Sequence, residues 1–167
     1  MGITTKRTGT PVKFDVAKAA KLIAGFVPGA ILRRTDKGID AKGNAFAPYR
    51  PSYRDALIAM SEDVKVDLRL TGGLLNSIKA RDVQVTPDGV RVTIAPDTGT
   101  SPQVYAADGK AKRSGRRGPP HNVLGYWLHH GTPTMQARPF MGLTPEQQRE
   151  LYQILAKAKI SAESTAI

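Results

Sequence analysis

Residues 121–146 constrain this chain more than any other stretch, because four structural instructions follow one another without a gap. His121-Asn-Val-Leu-Gly-Tyr-Trp-Leu-His-His130 reads as a short amphipathic helix over 123–130, and Gly131 is its stop. Ala137-Arg138-Pro139-Phe140 then reads as an extended anchor. Pro139 fixes the backbone, Phe140 plugs a core, and Arg138 can bridge to a carboxylate or to backbone. Thr144-Pro-Glu-Gln147 is a helix start with a Thr cap, a Pro at the first helical position and a Gln at the capping-box position. Leu151, Ile154, Leu155 and Ala158 give the helix that follows, over 145–159, an inner stripe.

Upstream, Val16, Ala19, Ala20, Ile23, Phe26 and Val27 recur at helical spacing behind Asp15, a suitable N-cap. Pro28 requires this helix either to kink or to end near Phe26. Residues 35–53 read as a long loop whose aromatics, Phe46, Tyr49 and Tyr53, pack onto the core. Residues 54–66 are read as a short helix or an irregular stretch. Thr71 can cap a short helix that turns Leu74, Leu75 and Ile78 inward. The strongest hairpin signal is at 79–95, where β-branched residues alternate with polar ones on either side of Pro87-Asp88-Gly89. Residues 104–107 can continue as a strand. The pattern as a whole predicts an α+β fold: an antiparallel sheet packed with an N-terminal and a C-terminal helix, with long irregular loops. Residues 1–12 are read as an extended arm, 13–160 as one domain, and 161–167 as a frayed tail.

The formal charge is +11, from 25 basic against 14 acidic residues, which suits a polyanionic partner. Its densest part is 110–117, where Lys110, Lys112, Arg113, Arg116 and Arg117 stand with no apolar residue larger than alanine. The segment 108–120 is therefore expected to be a mobile basic loop. Three roles stay open for it: phosphate contact without base readout, contact with an acidic surface of a neighbouring subunit, or solvation alone. The absence of interleaved aromatics argues against stacking on single strands.

Enzyme chemistry finds little to build on. With no cysteine there is no disulfide, zinc-thiolate site or thiol nucleophile, and a reducing compartment fits. His129 and His130 are adjacent and point about 100° apart on a helix, so they do not share a metal easily, and the His-Glu-x-x-His pattern is missing. One of them is expected to pack against Tyr126 or Trp127 and the other to face solvent. Asp36, Asp40 and Asn44 lack the closing Glu of a calcium loop. No nucleophile elbow, phosphate loop or acid–base pair stands out, so no catalysis, metal or cofactor is expected. No apolar run approaches the length of a membrane span and no signal peptide is evident at the N-terminus, so a soluble, cytoplasmically made chain is expected.

Several short motifs, spread from about residue 14 to 158, resemble the virion morphogenesis (tail completion) proteins of tailed bacteriophages. They are Phe46-Ala-Pro48-Tyr49, then Leu70, Thr71, Gly72, Leu74, Ser77 and Ile78, then Tyr105-Ala106, His129-His130-Gly131 and Ala137-Arg138-Pro139-Phe140. The basic insert between Ala107 and His121 departs from that family. The resemblance implies a non-enzymatic structural protein of the phage neck. It would form a ring, of six subunits by expectation, that joins tail to head connector around the DNA channel. Its partners would be itself, other neck, connector and tail proteins, and packaged DNA, with no membrane. It would reside in the virion and, during assembly, in the host cytoplasm. The alternative is a basic nucleic-acid-binding protein without sequence specificity.

Overall fold

In a computed structural model, the structure describes residues 15–59, 64–68, 72–86, 89–107 and 110–163; for 85–86, 89, 101–117 and 158–163 it describes backbone alone. The order is α1 (Val16–Asp36), α2 (Pro51–Ala59), α3 (Gly73–Asn76), β1 (Lys79–Thr86), β2 (Gly89–Ala95), β3 (Thr100–Ala107), β4 (Lys110–Pro120), α4 (His121–His130) and α5 (Pro145–Glu163). The fold is α+β, as expected. Its strands form two separate antiparallel ribbons, β1–β2 and β3–β4. In the first, Val83 pairs with Val92 and Val85 with Val90, with a bulge between Ala80 and Asp82. Helix α1 lies against both strands of that ribbon and against α5.

Asp15 caps α1 as its sequence suggests, its carboxylate accepting from the Lys18 N–H at 2.9 Å. The helix neither ends at Phe26 nor breaks at Pro28 but runs on to Asp36. An interior proline costs about 3 kcal/mol. What offsets it here lies beyond the proline, where Ala30, Ile31, Arg34 and Thr35 are all buried. Helix α2 begins earlier than residue 54, because Pro51 takes the first helical position and Arg50 O receives the N–H of Arg54 at 2.9 Å. Its Ala56 and Leu57 are buried. Gly72, with φ 69°, stands at the N-cap of α3; Thr71, proposed for that role, lies outside the described residues. The arm at 1–12 and most of the tail at 161–167 also lie outside them, although α5 reaches Glu163.

The core is Ile31, Phe46, Leu74, Leu75, Ile78 and Phe140, with Val27, Ile94, Leu124, Leu128 and Met141 packed around it. Through it passes the irregular segment 138–142, buried at Arg138 and Phe140 and exposed at Gly142. A buried segment outside helix or sheet must find partners for its backbone elsewhere, and here three parts of the chain supply them. The Arg138 N–H donates to Leu128 O at 2.7 Å, and Pro139 O accepts from the Ala41 N–H at 2.7 Å. The Arg34 guanidinium donates to Phe140 O and, at 2.8 Å, to Gly142 O. The Met141 N–H donates to Nδ1 of His129 at 3.2 Å. Phe140 itself is 0% exposed.

Arg34 has one more partner, the Gln147 side-chain oxygen at 2.8 Å. That oxygen also accepts the Thr144 N–H at 3.1 Å, and Thr144 Oγ1 accepts the Gln147 N–H at 3.3 Å, completing the capping box of α5. The Gln147 amide nitrogen reaches Ala30 O at 3.0 Å. One side chain thus caps α5, fastens it to α1 and supports a buried guanidinium. Burial lowers the Arg34 pKa and the Asp40 carboxylate opposes that shift.

Two losses of stability are expected, both measured by denaturant unfolding. Phe140→Ala empties a fully buried site and costs about 3–5 kcal/mol. Gln147→Ala removes an acceptor from buried Arg34 and costs about 1–3 kcal/mol. Unchanged midpoints would mean that the segment is not held in the core.

Candidate interaction site: the basic ribbon and its base

The segment 108–120 is not an irregular loop where it is described. Residues Lys110–Pro120 form β4, paired antiparallel with β3. The expectation failed because it weighed side-chain burial, whereas a ribbon is held first by its backbone ladder. Residues 108–109, at its turn, lie outside the described set. Lys110 stands opposite Ala107, Lys112 opposite Tyr105, Arg113 opposite Val104, and Arg117 opposite Pro102. Arg116 falls in the stretch between Arg113 and Arg117 where the register shifts. None of the four paired cations has a charged residue across the ladder, so like charges are not set opposite one another.

The base of the ribbon is a polar clamp. The His121 N–H donates to Gly99 O at 2.7 Å and the Asn122 N–H to Asp97 O at 2.9 Å. Asp97 Oδ1 meets Nδ1 of His121 at 2.6 Å and accepts the Gly99 N–H at 2.9 Å. The chain entering β3 and the chain leaving β4 are therefore joined. The contact to His121 holds the Asp97 carboxyl below its ordinary pKa, helped by the Gly99 N–H and by the charges of His121 and Arg81. Ser77 Oγ donates to Leu74 O at 2.6 Å, and Arg81 donates to Ser77 O and, at 3.1 Å, to Ala95 O, which fastens the end of α3 to the first ribbon. His121 is buried and Asp97 half-buried. Sequence reasoning missed this pair. Asp97-x-Gly99 is a legible turn signal, but nothing local names a partner 24 residues away.

Helix α4 starts at this clamp and ends at the core segment. Gly125 lets it approach closely: a Cβ there would lie 3.2 Å from Pro96, 3.5 Å from Leu74 and 3.6 Å from Phe140. Gly131 ends it with φ 82°, and a side chain at that position would stand 2.9 Å from the backbone nitrogen of Ala137. The two histidines divide differently from expectation. His130 does stack on Tyr126, ring centroids 4.5 Å apart, but it is His130 that is exposed. His129 turns inward to the Phe140 ring at 6.1 Å. Burial, then the neighbouring charge of His130, lowers its pKa.

Arg138 uses backbone and no carboxylate. It donates to Ala47 O at 3.0 Å, Pro48 O at 2.9 Å and Gln136 O at 3.2 Å, and its guanidinium lies 5.1 Å from the centre of the Tyr49 ring. Tyr53 meets Tyr49 edge-on at 5.0 Å. Burial foremost pushes the Tyr49 hydroxyl up to about 12. Asp40 is committed to the N–H groups of Lys42 and Asn44, each at 2.8 Å, and so closes a turn. Among the described residues no group of three or more His, Asp or Glu could hold a metal ion, and no helix is long and apolar enough to cross a membrane.

The five ribbon cations and the anchor Arg138, Pro139 and Phe140 are thus separate places, linked by the ten residues of α4. Comparison with protein-family models, with curated proteins and with solved structures finds no match to this chain.

His129 makes the anchor sensitive to acid. Its folded pKa lies below the ordinary 6.5, so over the window below 6.5 the unfolded chain binds the proton more readily. Stability then falls as pH drops through that window. Unfolding midpoints should fall between about pH 7 and pH 5, and His129→Gln should flatten the fall. An equal fall in both proteins would clear His129 of the effect.

Proposed function

We propose that this chain is a structural subunit of a bacteriophage neck, a ring-forming tail completion protein that joins the tail to the head connector around the DNA channel. Six subunits is the expected count. Its place is the virion, and the host cytoplasm while the virion is built. The observation that carries the reading is the role of Ala137-Arg138-Pro139-Phe140. This motif, the most specific part of the resemblance, is the segment over which the core closes. A part of the chain so bound into its own fold is the part expected to persist in a structural family while surface segments vary.

A second reading is a free nucleic-acid-binding protein without sequence specificity. It is favoured by the net charge of +11 and by five cations carried on one strand. Such contact is with phosphates, and each one neutralised adds roughly 0.9 to the slope of log affinity against log salt.

Native mass spectrometry and electron microscopy of the purified full chain separate the two. Closed rings support the neck reading; monomers that bind duplex DNA at low salt support the other. If the cations touch DNA, replacing Lys110, Lys112, Arg113, Arg116 and Arg117 together with Gln flattens the salt dependence and leaves the melting temperature nearly unchanged. An unchanged salt slope combined with lost rings makes the ribbon a subunit contact.

A further inference from the structure

Helix α4 turns two large aromatic rings to solvent. Tyr126 is 62% exposed and Trp127 40%. The core takes Leu124 and Leu128 of the same helix instead. The Tyr126 ring is nevertheless held, by His130 one turn on, at 4.5 Å between ring centroids. Single exposed apolar residues are ordinary, whereas adjoining ones mark a place that a partner can cover.

The surroundings of these rings are cationic. Helix α4 begins where β4 ends, at the Asp97–His121 clamp. At 1.5 Å per residue, Tyr126 and Trp127 stand about 7–9 Å along the helix from His121. From 98 to 145 the sequence holds one acidic residue, Asp108, against six Lys and Arg, five of them on β4. Helix α4 has no acidic residue.

We infer that β4 and α4 form one surface for single-stranded nucleic acid, with the cations of β4 meeting phosphates and Tyr126 and Trp127 stacking on unpaired bases. The segment 110–117 has no aromatic of its own and so gives bases nothing to stack on; α4 supplies the rings. Charge complementarity selects a polyanion. The rings select its form, because the bases of a duplex are stacked on one another, whereas an unpaired base offers its face to an exposed ring. Every base has such a face, so the surface requires no sequence. The inference rests on the reading of this chain as a nucleic-acid-binding protein and names its ligand class.

Trp127 is the one tryptophan of the chain and reports its own surroundings. The test titrates the full-length protein, at low salt, with oligodeoxythymidylate and with duplex DNA of the same length. It follows tryptophan emission and, with labelled DNA, affinity. The expected result is that the single strand binds more tightly than the duplex and quenches Trp127. Tyr126→Leu weakens single-strand binding about 5–100-fold, and Tyr126→Phe, which keeps a ring, restores it. Both variants keep the wild-type salt slope, since the phosphate contacts are untouched. Equal or tighter binding of the duplex, single-strand binding without quenching, or an unaltered affinity in Tyr126→Leu overturns the inference and leaves the nucleic-acid reading standing. Trp127 emission that changes with protein concentration alone marks a contact between copies, and quenching by poly-glutamate as strong as by DNA marks an acidic protein partner; each overturns the inference. Binding to neither form of DNA overturns both.

Discussion

The structure depends on the solvation of one irregular stretch of buried backbone. Residues 138–142 run past the core with Arg138 and Phe140 buried, without belonging to a helix or a sheet. An unpaired buried backbone group costs about 1–3 kcal/mol, so such a segment persists only where its surroundings supply partners. Here they come from the C-terminal end of α1, the turn at Ala41 and the last turn of α4. Two buried guanidiniums, Arg34 and Arg138, work on carbonyl oxygens rather than on carboxylates. A guanidinium suits this use, since its five donors fan out in a plane and it stays charged when dehydrated.

The rest of the architecture is arranged around that stretch. Helix α4 holds it with Leu128 and His129 at one end and carries the clamp of the second ribbon at the other. The ribbon and the anchor share one short rigid element, so any force on the ribbon's base is met by the core.

Much of this was legible, and what was missed follows a rule. Asp15, the Thr144–Gln147 box, Gly131 and the 79–95 hairpin were readable because their partners lie within a few residues. Phe140 was readable because an aromatic between a proline and a helix cap has nowhere else to go. Arg34 was not, because an arginine in the last turn of a helix looks like an ordinary charge on a helix end, and its partners lie more than a hundred residues on. The Asp97–His121 clamp was hidden in the same way. Strand β4 was misread because its composition gives no hydrophobic alternation, the one signal by which a strand declares itself.

The reach of the Arg34 contacts bears on the order of events during synthesis. Its acceptors are separated from it by 106 to 113 residues, and Ala30 waits for Gln147 across 117. Contacts so distant in sequence form late and slow the search for the native state. While the ribosome is still making residues 138–147, α1 and the first ribbon have no central plug and no fastening to α5. The chain therefore cannot finish its core before nearly all of it has emerged, and a half-made copy lacks the seated α4 from which the second ribbon is held.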